Sequence, residues 1–211
     1  MTPHLLPWLW PVFFYLVGTI PAGYLMGKSR GIDVRQHGSG NIGATNVGRV
    51  LGRSWGFAAF ACDFIKGFLP LYLVRSLEFP GDQSWSVSLL LVCCGLAAII
   101  GHNYPVWLGF KGGKGIATSA GVLGALVPLV LAVALSLWIL AVLITRIVSI
   151  ASLLAAFSLP VTTLWFYPHQ WVYFGFSALA CVLATWRHRS NIQRLLAGTE
   201  SRIGSAKNKA A

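Results

Sequence analysis

The sequence predicts an all-α integral membrane protein, a polytopic helix bundle with an odd number of spans, seven preferred and five possible. Three observations carry that prediction. Of 211 residues, 56% are hydrophobic and only 10% charged, and the mean hydropathy is +0.70, more apolar surface than a water-soluble domain requires. Several apolar runs reach or exceed the roughly 20 residues that a transmembrane helix takes. The 16 basic residues are segregated: all but Lys66, Arg75 and Arg146 fall in three polar segments. Lys28, Arg30, Arg35, Arg49 and Arg53 occupy the first, Lys111 and Lys114 the second, and Arg187, Arg189, Arg194, Arg202, Lys207 and Lys209 the tail. Loops rich in Lys and Arg stay in the cytoplasm, so all three segments and the C-terminus belong there, with the N-terminus periplasmic or extracellular. The net charge of +11 therefore speaks of topology and not of nucleic acid, which is not expected as a partner.

The first apolar run, residues 8 to 27, has no basic segment before it and outlasts the usual signal-peptide core. It reads as a retained helix, a cleaved signal being the weaker alternative. A polar, glycine-rich loop follows over about 28–53. The second span covers about 54 to 74 and the third about 86 to 101, joined by a short external loop bearing Arg75, Glu78, Gly81 and Asp82. A second cytoplasmic loop runs over about 102–118. Residues 116 to 145 are then continuously apolar apart from Gly121, Gly124 and Pro128, and residues 147 to 186 form a longer run with a polar break at Tyr167-Pro168-His169-Gln170. A plain count of six spans would put the basic tail, about 187–211, outside the cell. Either the run from 116 to 145 is two short broken helices, giving seven spans, or the last run includes a re-entrant piece, giving five. No internal repeat is visible, and residues 1–211 read as one transmembrane domain. Cys62, Cys93, Cys94 and Cys181 all lie in apolar runs, where a cysteine is a small hydrophobe; neither a disulfide framework nor a metal site is expected.

Chemistry concentrates in the polar segments. The first loop carries GSGNIGATNVGR, Gly38 to Arg49. Gly38, Gly40 and Gly43 allow sharp turns and bare N–H groups, and Ser39, Asn41, Thr45 and Asn46 add side-chain donors, a composition suited to a phosphate. The second loop, GHNYPVWLGFKGGKGIAT from Gly101 to Thr118, runs straight into an apolar segment. The amides of Gly112, Gly113 and Gly115 are thereby expected at or near a helix N-terminus, where dipole and free donors favour anions. Gly115 follows Lys114 where a Walker A loop needs Ser or Thr, so nucleotide hydrolysis is not supported. Asp63 and Lys66 lie three residues apart in the second span and share a helical face; they either pair inside the bundle or touch substrate. In the tail, RHRSNIQRLLAGTE from Arg187 to Glu200 sets His188 and Asn191 one turn apart, with Arg194 three residues further on. Three anion-seeking segments on one face of a bilayer imply a phosphorylated substrate.

These motifs resemble those of the acyl-phosphate-dependent glycerol-3-phosphate acyltransferases of bacteria, the PlsY family. SGNIGATNVGR resembles its first motif, GHNYPVWLGFKGGKGIAT its second, and the stretch from His188 to Glu200 its third; TRIVSIASL, with Ser149, is also similar to a family feature. The resemblance implies transfer of a fatty acyl group from acyl phosphate to the 1-hydroxyl of sn-glycerol 3-phosphate, an early step of phospholipid biosynthesis in the bacterial (inner) membrane. It also implies a multi-pass enzyme without a cofactor, working on the cytoplasmic side. Catalytic roles then go to Ser39, Arg49, Lys114, His188 and Asn191. Phosphate-binding roles go to Gly40, Asn41, Gly43, Thr45 and Asn46 of the first motif, to His102, Gly112, Gly113, Gly115 and Thr118 of the second, and to Ser149. Asp63, Lys66, Arg194 and Glu200 remain structural charges or site charges.

An acyl phosphate is a mixed anhydride with a good leaving group, so the enzyme chiefly has to position two anions and stabilise developing negative charge. The second loop is expected to hold glycerol phosphate, the first loop with Lys114 the acyl phosphate, and His188 with Asn191 to orient the acceptor. For the general base, His188 and His102 qualify by residue type, and the resemblance adds the acceptor's own phosphate. No histidine has Asp five positions later, which excludes the His-x-x-x-x-Asp acyltransferases, and no nucleophile motif suggests an acyl-enzyme. A transporter of phosphate esters is the alternative class; it would place charges at mid-membrane and show a repeat. A scaffold that binds anionic lipid through basic loops is a third.

Overall fold

The computed structural model describes residues 9–79 and 84–204. Trp8 at the start of the first run, Gly81 and Asp82 of the external loop, and Lys207 and Lys209 of the tail lie outside the described residues. Among those described, all regular structure is helical, and the chain divides into two compact units, Met1–Leu126 and Val127–Ala211. Four helices are long and apolar enough to cross a membrane.

In the first unit, the run expected as one span is broken. α1 (Trp10–Gly18) ends at Thr19, and α2 (Ala22–Ser29) starts after Pro21. Proline has no N–H and disfavours helical geometry in the residue before it, so the helix ends before Ile20. The break exposes backbone groups that others then use. The Thr19 hydroxyl donates to the Leu16 carbonyl (2.6 Å) and accepts from the Trp107 indole (2.8 Å).

α3 (Ala44–Val50) and α4 (Arg53–Leu77) follow, then α5 (Trp85–Asn103) and α6 (Ile116–Leu126). The spans expected over 54–74 and 86–101 are thus α4 and α5, each slightly longer. The 25 residues of α4 rise about 37 Å, enough for the hydrocarbon core. Glycines set the closest helix contacts. A β-carbon on Gly18 would strike the Ala98 carbonyl, one on Gly67 the Thr118 carbonyl, and one on Gly121 the Phe64 carbonyl. In lipid there is no hydrophobic drive between helices, so close backbone approach supplies the packing.

The second unit is an up-and-down arrangement of α7 (Pro128–Thr145), α8 (Val148–Phe166) and α9 (Trp171–Arg187), followed by the short α10 (Arg189–Leu196). The run from 116 to 145 therefore divides, but at Val127-Pro128 and not at its glycines, since α6 continues through Gly121 and Gly124. The break between α8 and α9 falls at the predicted Tyr167–Gln170. Trp138 donates to the Ser152 hydroxyl (3.2 Å) between α7 and α8, and Thr163 pairs with Ser177 (2.7 Å) between α8 and α9. At the turn from α7 to α8, Arg146 is left-handed (φ 57°), and its carbonyl accepts from the Ile203 amide (2.8 Å), bringing the tail back to that turn.

Candidate active site

The first loop is built around Asn46, which is 1% exposed. Its Oδ1 accepts from the Ser39 amide (2.7 Å), and its Nδ2 donates to the carbonyls of Val34 (2.9 Å) and His37 (3.1 Å). Gly38 is left-handed (φ 60°), and a β-carbon there would meet the Asn46 side chain. Asn41 Oδ1 accepts from the Gly43 amide (2.8 Å). Asn46 thus holds the loop's shape with both of its Nδ2 hydrogens engaged, which corrects the expectation that it is a donor for the ligand, and Asn41 supports the loop through its oxygen. Ser39, Gly40 and Thr45 lie on the exposed side, and Arg49 sits half-buried in the last turn of α3. Upstream, Arg35 donates to both oxygens of Asp33 through Nε (3.0 Å) and Nη2 (2.7 Å) and lies over the Tyr24 ring. That hydrogen-bonded guanidinium holds the Asp33 carboxyl at about 2, below the usual carboxylate range.

The second loop folds back on the end of α5. The Gly112 amide donates to the Asn103 carbonyl and the Gly113 amide to the His102 carbonyl, both at 3.1 Å. The expectation that these two amides stand bare for an anion is therefore corrected: their hydrogens are engaged, and the residues are glycine because the chain passes so close. A β-carbon on Gly113 would meet His102 Nε2. Gly115 (φ 79°) makes the left-handed step into α6, and its carbonyl accepts from the Ser119 amide (2.7 Å) in the first helical turn. Lys114 lies half-buried between these glycines, and Thr118 is buried inside α6.

Beneath this loop, Asp63, Lys66 and His102 form a buried cluster, exposed by 2%, 7% and 4%. Lys66 Nζ lies 2.7 Å from Asp63 Oδ1, 3.0 Å from His102 Nδ1 and 2.8 Å from the Ile20 carbonyl at the break between α1 and α2. The expected Asp63–Lys66 pair is present, with a histidine from another helix as its third member. Asn103, beside His102, is 1% exposed, and neither polar atom of its side chain has a hydrogen-bond partner among the described residues. Sequence reasoning did not single it out, although it stands inside the quoted GHNYP; its burial was the missing signal.

In the second unit, Glu200 is a hub. Ser149 donates to its Oε1 (2.8 Å), Asn191 to the same oxygen (2.6 Å), and Arg194 Nε to Oε2 (2.7 Å). Burial would raise the Glu200 carboxyl, but the hydrogen bonds from Asn191 and Ser149 and the Arg194 guanidinium outweigh it and hold the group below its ordinary value. Arg194 is thus the ion-pair partner of Glu200. His188, 3% exposed, makes a 2.8 Å contact from Nδ1 to the Ala184 carbonyl. A carbonyl can only accept, so Nδ1 carries the hydrogen and, in the neutral ring, Nε2 carries the lone pair.

The family model described as glycerol-3-phosphate acyltransferase matches residues 8–198. A glycerol-3-phosphate acyltransferase of Thermosynechococcus vestitus is 42% identical over 98% of this chain and 99% of its own. One from Desulforudis audaxviator is 45% identical over 92% of this chain and 93% of its own. The crystal structure of PlsY (YgiH), an integral membrane glycerol 3-phosphate acyltransferase, in its glycerol 3-phosphate form superposes with a TM-score of 0.86 at 38% identity, covering 97% of this chain and 99% of that one. Its lysophosphatidic acid form gives a TM-score of 0.84 with the same coverage.

Proposed function

The chain belongs to the glycerol-3-phosphate acyltransferase family, and on that premise we propose that it transfers a fatty acyl group from an acyl phosphate to the 1-hydroxyl of sn-glycerol 3-phosphate. The products are 1-acyl-sn-glycerol 3-phosphate and inorganic phosphate. The observation that carries this reading is the pair of forms in which the solved relative is known, glycerol 3-phosphate and lysophosphatidic acid, the acceptor and the product of such a transfer. The family match runs through both compact units, which supports residues 1–211 working as one acyltransferase.

The hydroxyl oxygen attacks the acyl carbon, the bond from that carbon to the phosphate oxygen breaks, and the hydroxyl proton passes to a base. No covalent enzyme intermediate is required. The work left to the protein is to hold two anions together and to stabilise the charge that develops between them. Ser39, Arg49 and Lys114 take the acyl phosphate, the second loop takes glycerol 3-phosphate, and His188 with Asn191 orients the acceptor. The acyl chain dissolves in the bilayer, so only the phosphate end needs a polar site.

The site faces the cytoplasm of a bacterial cell, at the inner membrane. Counting α1 with α2 once, then α4, α5, α6, α7, α8 and α9, gives seven crossings, with the N-terminus outside and the C-terminus inside as the basic residues require. A fluorescent protein fused to the C-terminus should glow, and alkaline phosphatase there should stay inactive; the opposite pair contradicts this orientation. The reaction itself is tested by mass spectrometry of purified protein given palmitoyl phosphate and glycerol 3-phosphate. Lysophosphatidic acid should form, and none should form when palmitoyl-CoA replaces the phosphate. Equal product from the thioester, or none from the phosphate, contradicts the assignment.

A further inference from the structure

An ammonium group has three hydrogens to donate and no capacity to accept. Lys66 Nζ has three acceptors around it: Asp63 Oδ1 at 2.7 Å, His102 Nδ1 at 3.0 Å and the Ile20 carbonyl at 2.8 Å. Two of these are hydrogen-bond contacts, the Ile20 carbonyl and His102 Nδ1, and the Asp63 carboxylate adds an ion pair, the compensation a buried cation needs. The arrangement has a consequence for the histidine. If Nδ1 accepts from Lys66, the neutral ring keeps its hydrogen on Nε2, and Nε2 lies against Gly113, where a β-carbon would otherwise sit. The competing contact, His102 Nδ1 to Asp63 Oδ1, is longer at 3.4 Å.

We propose that Lys66 is a positioning residue for the second loop: divided among Asp63, His102 and the Ile20 carbonyl, it fixes His102 as an Nε2–H donor at the turn that carries Lys114. In that state His102 offers a hydrogen to a phosphate oxygen and does not take up a proton, so it is not the general base. The break between α1 and α2 takes part, because the Ile20 carbonyl there accepts from Lys66 as well as from the Ala22 amide (3.1 Å). The inference rests on the second loop holding the acceptor phosphate, as assigned above.

The test begins with unaltered protein, 15N-labelled at histidine and read by NMR, with the His102 signals identified by their loss in His102→Gln. Hydrogen-bearing Nε2 and a bare Nδ1 are expected; hydrogen on Nδ1, or on both nitrogens, overturns the proposal whatever the enzyme's activity. In Lys66→Met the tautomer should change, and the KM for glycerol 3-phosphate should rise roughly 10–100-fold while that for palmitoyl phosphate moves by less than about threefold. Equal rises in both KM values, or no rise in either, overturn it. Should Lys66→Met fail to fold, the pair Asp63→Asn with Lys66→Met removes both buried charges together and is read the same way. Acceptor-dependent turnover by the unaltered protein stands or falls separately, so loss of the function assignment is distinguishable from loss of this inference.

Discussion

His102 and His188 are the two buried histidines among the described residues, and their Nδ1 atoms are used in opposite ways. His102 Nδ1 faces a lysine ammonium, whereas His188 Nδ1 faces a backbone carbonyl. In the arrangement proposed above the first accepts, whereas the second donates, so the neutral rings carry their remaining hydrogen on opposite nitrogens. Residue type made both of them candidates for the base. The partner of Nδ1 separates them: on this assignment the neutral His188 ring has an accepting Nε2, and the His102 ring a donating one.

Substitution breaks this comparison most sharply. His188→Ala should lower kcat by roughly 100-fold or more, the usual scale for losing a group that handles the proton. His102→Gln retains a side-chain N–H donor and should lose far less. A larger loss in His102→Gln than in His188→Ala, measured as phosphate release at saturating substrates, would reverse the roles assigned here.

The next effect concerns how each unit shapes its loop. Asn46 holds the first loop through three hydrogen bonds and touches nothing beyond it among the contacts described. Asn46→Ala should therefore act through displacement of Ser39 and Arg49, lowering kcat/KM for palmitoyl phosphate up to about 100-fold, the scale of a misplacement near 1 Å. Unchanged kinetics would show that the clamp is dispensable.

Glu200 plays the corresponding part in the second unit, with charge added. Its carboxyl titrates lower when folded than when unfolded, so the unfolded chain binds a proton first as pH falls. The stabilisation is complete above the ordinary glutamate value of about 4.3 and disappears as pH drops through the lower folded value. Glu200→Gln should cost about 2 kcal/mol at neutral pH, the scale of hydrogen bonds to a charged group, and the gap in Tm from the unaltered protein should close as pH falls below 4. A gap independent of pH would contradict the sign. Smallest of all is the expected effect of a chelator. Lys114 and Arg49 supply the positive charge in this account, so turnover should be unchanged by EDTA, and its loss would require a metal.

The long apolar runs of α4 and α5 were legible by their length and composition, although α4 carries Asp63, Lys66 and Pro70 within it. The break at Ile20-Pro21 was not, since one proline in an apolar run is as compatible with a kink as with a stop, and the outcome depends on whether the released carbonyl finds a donor such as Lys66, 46 residues away. Likewise Gly121 and Gly124 looked like interruptions but lie within α6, where Gly121 lets α4 approach. In the site, the motifs announced that polar groups were needed without saying which face a ligand and which hold the loop. Asn46, Gly112 and Gly113 belong to the second kind because their partners are distant backbone carbonyls, invisible in sequence. Asp63 and Lys66 were legible as a helical pair; His102 joined them only through the fold.

The central claim, that this protein moves an acyl group between two bound anions, is tested most directly by phosphate release from palmitoyl phosphate in lipid, with and without glycerol 3-phosphate, for the unaltered protein and for Lys114→Ala. Release should depend on the acceptor and fall by roughly 100-fold or more in the variant, the scale for removing one group that stabilises transition-state charge. Release independent of glycerol 3-phosphate, or undiminished in Lys114→Ala, would contradict it.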